Sequence, residues 1–228
     1  MKISLWCVLG LMLYERPPYG GEQAPAPPPE PPDEPPPVPR MPHRVHPRVL
    51  VGYGTALGVS MVAAGWLLGI VLGRESWAMW FPARRWALDV LLGAGIGVAF
   101  ALTAWAIEQR IPALRRIEQL LLGALDMRAM RWHHIVLFSV LAGVPEEVLF
   151  RGALQPALGV VGAAVVFGAL HAITPSYFLY ASTAGLLLGA LRVWRGGLWA
   201  SIAAHTAIDA VMFALLVRAW RRAQRDET

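Results

Sequence analysis

The charged residues of this chain are clumped, and between the clumps run apolar stretches at 49–73, 86–107, 132–154, 158–174, 177–194 and 197–217. Each is close to the roughly 20 residues that a bilayer-crossing helix needs. Only 15% of residues are charged and the mean hydropathy is +0.48, where a soluble domain carries roughly a quarter charged residues. The pattern predicts an all-α, polytopic integral membrane helix bundle with about six transmembrane helices. Small residues such as Gly93, Gly95 and Gly97 recur in the spans. They let helices approach closely in lipid, where no hydrophobic force drives association. Trp77, Trp80, Trp86, Trp132, Trp194, Trp199 and Trp220 fall near the expected span ends, as an aromatic belt would.

Three regions follow. Residues 1–48 hold a short apolar segment and a proline-rich tail; 49–131 hold two spans and an amphipathic stretch; 132–228 hold four spans and a basic C-terminal tail. The apolar run 3–14 is too short to span; it reads as a signal-peptide core, an interfacial segment, or sequence upstream of a start at Met41. The proline-dominated run 17–47 is predicted to be a disordered, solvated spacer, with a ligand for a proline-binding module as the alternative. In 113–128, Leu114, Ile117, Leu121 and Leu125 share one face, which predicts a helix lying in the interface plane.

The net charge is +5 and Lys2 is the only lysine, so the excess is arginine in loops, which suits membrane orientation and not nucleic acid. With six spans the arginine-rich loops put both termini in the cytoplasm. Arginine in place of lysine, with abundant Ala, Gly and Pro, suggests a GC-rich bacterial genome, and the expected location is then a bacterial inner membrane. The lone Cys7 excludes an intrachain disulfide and a cysteine metal cluster.

Ionisable groups inside the apolar runs carry the chemistry. A charge at bilayer depth costs several kcal/mol, so it is rare there without a task or a partner. Glu147 and Arg151 are four apart and share a helical face, while Glu146 points about 100° away, free for another role. A carboxyl in an apolar pocket is suited to act as a general base. Pro145 is expected to start or kink the helix. Phe167 and His171 are four apart, so that ring and imidazole can pack; His205 and Asp209 share the same spacing, and Asp209 is expected to fix the His205 tautomer. Each element alone is matched by a structural reading: a Glu–Arg clamp, or a helix–helix hydrogen bond. Together they supply a base and electrophilic groups for amide hydrolysis. No His-Glu-x-x-His helix or Gly-x-Ser-x-Gly elbow is present. Asp89 and Asp126 sit near span edges, and Ser201 ranks low as a nucleophile.

Glu146-Glu147-x-x-x-Arg151, Phe167-x-x-x-His171 and His205-x-x-x-Asp209, in this order and in apolar settings, resemble the three motifs of the CPBP family. That family contains the type II CAAX prenyl endopeptidases and the Abi bacteriocin-processing proteins. The resemblance covers about residues 132–217. It implies an intramembrane endopeptidase acting on a membrane-associated peptide or a lipid-modified protein. Glu146 would activate water with help from His171, Glu147 and Arg151 would hold the glutamate helix, and His205 and Asp209 would polarise the scissile carbonyl. The position of Asp209 is often asparagine in the family; an aspartate adds negative charge next to an oxyanion unless it is protonated or paired with His205. A divalent metal such as zinc on Glu146, His171 and His205 is one reading of the centre, and a metal-free, glutamate-activated water is the other. Competing functions are a non-enzymatic immunity or scaffold protein that binds a peptide, and a proton-coupled transporter. Oligomeric state is not legible.

Overall fold

The structure, a computed structural model, describes residues 44–73, 77–110, 119 and 121–226. The apolar run 3–14, the proline-rich run up to residue 43, the alternative start at Met41 and residues 113–118 and 120 of the expected interfacial helix lie outside them. The described residues are helical, with no strand among them. Helices α1 (Pro47–Val71), α2 (Trp77–Trp80), α3 (Trp86–Glu108) and α4 (Trp132–Glu147) are followed by a π-helical stretch, Val148–Leu154. Then come α5 (Gln155–Leu170), α6 (Pro175–Arg195) and α7 (Trp199–Asp226).

Four helical segments are long and apolar enough to cross a membrane: Pro47–Val71, Trp86–Glu108, Trp132–Leu170 and Trp199–Arg225. The expected span 132–154 and all of 158–174 up to Leu170 lie within one 39-residue segment. A straight helix of that length would be about 58 Å long, against a hydrocarbon core of about 30 Å. The segment is not straight: at Gly159 the backbone turns to φ 72°, ψ 172°, a region only glycine enters readily, and the rod is broken there. The expected break at 155–157 is therefore displaced to 159. The expected span 177–194 forms as α6, but Ser176, Tyr177, Tyr180, Ser182, Thr183 and Arg192 dilute its hydropathy, and it is not among the four.

Pro145 neither starts nor sharply ends a helix. It sits inside α4, and the helix continues into the π stretch three residues later. Proline has no N–H for the carbonyl of Leu141 and its ring crowds that carbonyl; a π turn adjacent to such a lesion is a recognised way of continuing the helix. The ring packs where α1 is bare: a Cβ on Gly58 would lie 3.0 Å from Pro145 Cγ. Two turns further along α1, a Cβ on Gly65 would lie 3.1 Å from Leu149 Cα.

The same device joins the other helices. Gly93 and Gly97 of α3 rest on the main chain of Ala200 and Ala204 in α7, and Gly143 of α4 rests on Thr206 of α7. A Cβ on Gly97 would come within 2.8 Å of Ala204 Cα and closer still to its carbonyl oxygen. Alanine is the better helix former by about 1 kcal/mol, but backbone cannot yield as a side chain can. Gly97→Ala is therefore expected to destabilise the bundle by about 1–3 kcal/mol, read as a lower melting temperature in detergent.

The last residues of the expected tail are not spacer. Val45 pairs with the 124–126 segment (Val45 N to Ala124 O 2.8 Å, Asp126 N to Val45 O 3.1 Å). Leu121 and Leu125, expected at an interface, are buried with Leu50, Phe138 and Phe213. The tryptophans divide. Trp86, Trp132 and Trp194 are exposed as a belt would be, whereas Trp80 is buried at 1% exposure and Trp199 Nε1 donates to Pro82 O at 3.1 Å. Asp89 is buried in an ion pair with Arg195 at 2.6 Å, and Asp126 Oδ1 accepts from the Arg128 and Ala129 amides. Both are accounted for locally.

Candidate active site

Glu146, Glu147, Arg151, Phe167, His171, His205 and Asp209 are all buried, none more than 9% exposed, and they meet in one place. The local reasons are distinct. α4 carries the glutamates inward because its Gly143 lets it lie on α7 at Thr206, immediately beside His205. α5 stops one residue before His171. The chain then re-enters helix at Thr174, whose Oγ1 accepts from the Tyr177 amide at 3.1 Å, with Pro175 at the first helical position.

Glu147 Oε1 is shared. It lies 2.9 Å from Arg151 Nη1 and 2.9 Å from His205 Nδ1. The expected partner of His205 is thus corrected: Glu147, not Asp209, is within hydrogen-bond reach. Asp209 Oδ2 is 3.8 Å from His205 Nε2, too far for a direct bond. A side chain four residues away on the same helix shares a face, but a residue on another helix can meet the ring nitrogen head-on. Nor do the two glutamates diverge into separate environments. Both lie inside the bundle, because helices pack on several sides of α4.

Arg151 is tied to more than Glu147. Its Nη2 donates to Gly185 O at 3.1 Å and its guanidinium carbon sits 4.5 Å from the centre of the Phe167 ring. Four residues on, Gln155 Nε2 donates to Gly189 O at 3.0 Å. Gln155 was not singled out from the sequence. The available signal was its place as the third member of a four-residue repeat, Glu147-Arg151-Gln155, facing a second repeat, Gly185-Gly189. Phe167 stacks on His171 with ring centres 4.3 Å apart, as its spacing predicts.

The His171 Nδ1–H donates to Phe167 O at 2.7 Å, which leaves Nε2 as the free nitrogen. Glu146 Oε2 lies 3.6 Å from that Nε2 and 3.9 Å from His205 Nε2, and has no hydrogen-bond partner among the described residues. Asp209 Oδ2 is unpartnered in the same sense. A buried carboxylate oxygen without a partner is unusual and calls for an occupant or a role. A cavity of about 30 Å³ reaches His171, His205 and Asp209, walled by Tyr177 and Tyr180 of α6. That volume admits one or two water molecules. The tyrosines were not anticipated, since nothing in their local sequence marks them.

No group of three or more His, Cys, Asp or Glu among the described residues is arranged to hold a metal ion. Glu146 Oε2 stands 3.6 Å and 3.9 Å from the two imidazole Nε2 atoms, and the chemistry is derived from these side chains alone. Ser201 is fully buried and its hydroxyl donates to Leu198 O at 3.1 Å, away from the glutamates.

These observations define a helical membrane protein with a buried carboxylate–imidazole centre. Residues 128–211 match the family model described as Type II CAAX prenyl endopeptidase Rce1-like. It is 37% identical over 97 residues to the uncharacterized protein YpbD of Bacillus subtilis (strain 168), a match covering 41% of this chain and 50% of that protein. The chain thus spans about half the length of the curated relative it matches. No solved structure matches.

Proposed function

We propose that the chain is an intramembrane endopeptidase that cleaves a peptide bond of a membrane-associated or lipid-modified protein. The observation that carries this reading is Glu146 Oε2, buried, unpartnered and facing two imidazole Nε2 atoms. A water molecule placed there can hydrogen-bond to Glu146 and to His171 Nε2 together. Glu146 takes its proton as the water oxygen attacks the scissile carbonyl carbon. The same carboxyl then returns the proton to the leaving amine as the C–N bond breaks. His205, held through Nδ1 by Glu147, presents Nε2 to the developing oxyanion and stabilises it when protonated. Arg151 pairs with Glu147 and holds it aimed at His205, so the two position the electrophile. The match to an endopeptidase family supports the reaction class.

Comparing newly formed peptide termini in native membranes that carry wild type or Glu146→Gln tests the reading. Termini that depend on Glu146 are expected; identical profiles would refute peptidase activity. Asp209 is a separate case, since it is not hydrogen-bonded to His205. Asp209→Asn is expected to keep cleavage within about tenfold of wild type, because it removes a negative charge near the oxyanion without emptying the site. A loss as large as that of Glu146→Gln would instead make the carboxylate itself essential.

A further inference from the structure

Away from the glutamates, at the end of the bundle where α4 begins and α7 ends, lies a cavity of about 960 Å³. Six arginines line it: Arg128, Arg131, Arg218, Arg221, Arg222 and Arg225. The four on α7 follow a 3-1-3 spacing and so share one helical face. Arg225 makes an interaction of its own. Among the described residues no carboxylate forms an ion pair with the other five. Five guanidinium groups with no carboxylate partner among the described residues repel each other round one cavity, and a bound anion relieves that repulsion. Arginine's planar fork matches phosphate oxygens.

The depth of the cavity identifies the anion further. α7 has 28 residues, about 42 Å, so with its apolar part in the hydrocarbon its last turns reach the headgroup layer. Trp132, 76% exposed, marks the same level on α4. Apart from His133 the rest of the wall is apolar, with Ile135, Ala214 and Val217 below the arginines. It is continuous with the exposed Val136 and Val140 of α4. A ligand that suits both parts carries a phosphate above and acyl chains below.

We infer that this cavity is a binding site for the phosphate headgroup of an anionic glycerophospholipid, clasping the start of α4 to the end of α7. The site is separate from the proposed catalytic centre and does not depend on it.

The test uses the full chain in phosphatidylcholine nanodiscs that contain a minority of phosphatidylglycerol, with retained lipid counted by native mass spectrometry after transfer to detergent. Phosphatidylglycerol is expected to be enriched over phosphatidylcholine by about tenfold or more. R218Q/R221Q/R222Q is expected to abolish the enrichment, and R84Q/R85Q, at arginines outside the cavity, to keep it. Undiminished enrichment in the triple variant, or equal loss in both variants, overturns the inference. Inorganic phosphate and glycerol phosphate separate the sources. Failure to displace the lipid at matched concentration supports a lipid site; displacement as effective as by added phosphatidylglycerol overturns it. Should the triple variant not fold, wild type still decides. The enrichment is expected to fall as salt rises, and salt-independent enrichment overturns the assignment.

Discussion

Glu146→Gln is expected to lower peptide-bond cleavage by about a thousandfold, within the 10²–10⁴ range of general-base catalysis, and to leave the protein folded. The substitution keeps the shape of the side chain and removes its ability to take a proton. Burying a carboxylate is costlier than burying an amide, and Glu146 Oε2 has no hydrogen-bond partner among the described residues to lose. Its melting temperature in detergent should therefore match or exceed that of wild type. This pairing of outcomes is diagnostic. A residue retained for structure would lose stability when replaced, whereas a reactive one loses only rate. A variant that cleaves at the wild-type rate, or one that unfolds, would remove Glu146 from the role of base.

Arg151→Ala is expected to have the opposite profile, costing about 3–5 kcal/mol of stability as the broken half of a buried ion pair. Its guanidinium joins Glu147 at 2.9 Å, Gly185 O at 3.1 Å and the Phe167 ring at 4.5 Å, so three elements lose a common tie. Glu147 is left buried with only His205 to oppose its charge. Unfolding followed by tryptophan fluorescence in mixed micelles measures the loss. The double variant Glu147→Gln/Arg151→Met should recover much of it, because both charges are then gone and buried volume is kept. Its cleavage should still be impaired, since His205 Nδ1 has lost its carboxylate. If the single and double variants are equally unstable, packing and not charge pairing holds this part of the bundle.

The two variants separate the adjacent glutamates by function, a distinction only partly written in the sequence. The four-residue spacing of Glu147 and Arg151 indicated their pairing, and their contact follows from helix geometry alone. The same rule misassigned His205. Asp209 is four residues away on the same helix but 3.8 Å from Nε2, whereas Nδ1 is bonded by Glu147, which is 58 residues away along the chain. Spacing cannot report on a partner from another helix. The small residues were visible as a trend, yet which of them touch was not. Only the packed structure shows Gly143 against Thr206 and Gly58 against Pro145.

Span boundaries show the same division. Hydropathy located the apolar segments that form α1, α3 and α7, because burial in lipid demands long apolar runs. It did not reveal the π stretch after Pro145, or that the break in the long segment falls at Gly159. Both depend on backbone torsions that composition does not encode.

Sequence by itself determined that this is a helical membrane protein and which few ionisable residues its apolar runs contain, since the cost of a charge in hydrocarbon makes such residues conspicuous. Tertiary structure decided which of them meet. Glu146 is left unpartnered before two imidazoles, and Glu147 is spent between Arg151 and His205. Those contacts are set by how closely glycine-faced helices approach, a relation between segments distant in the chain.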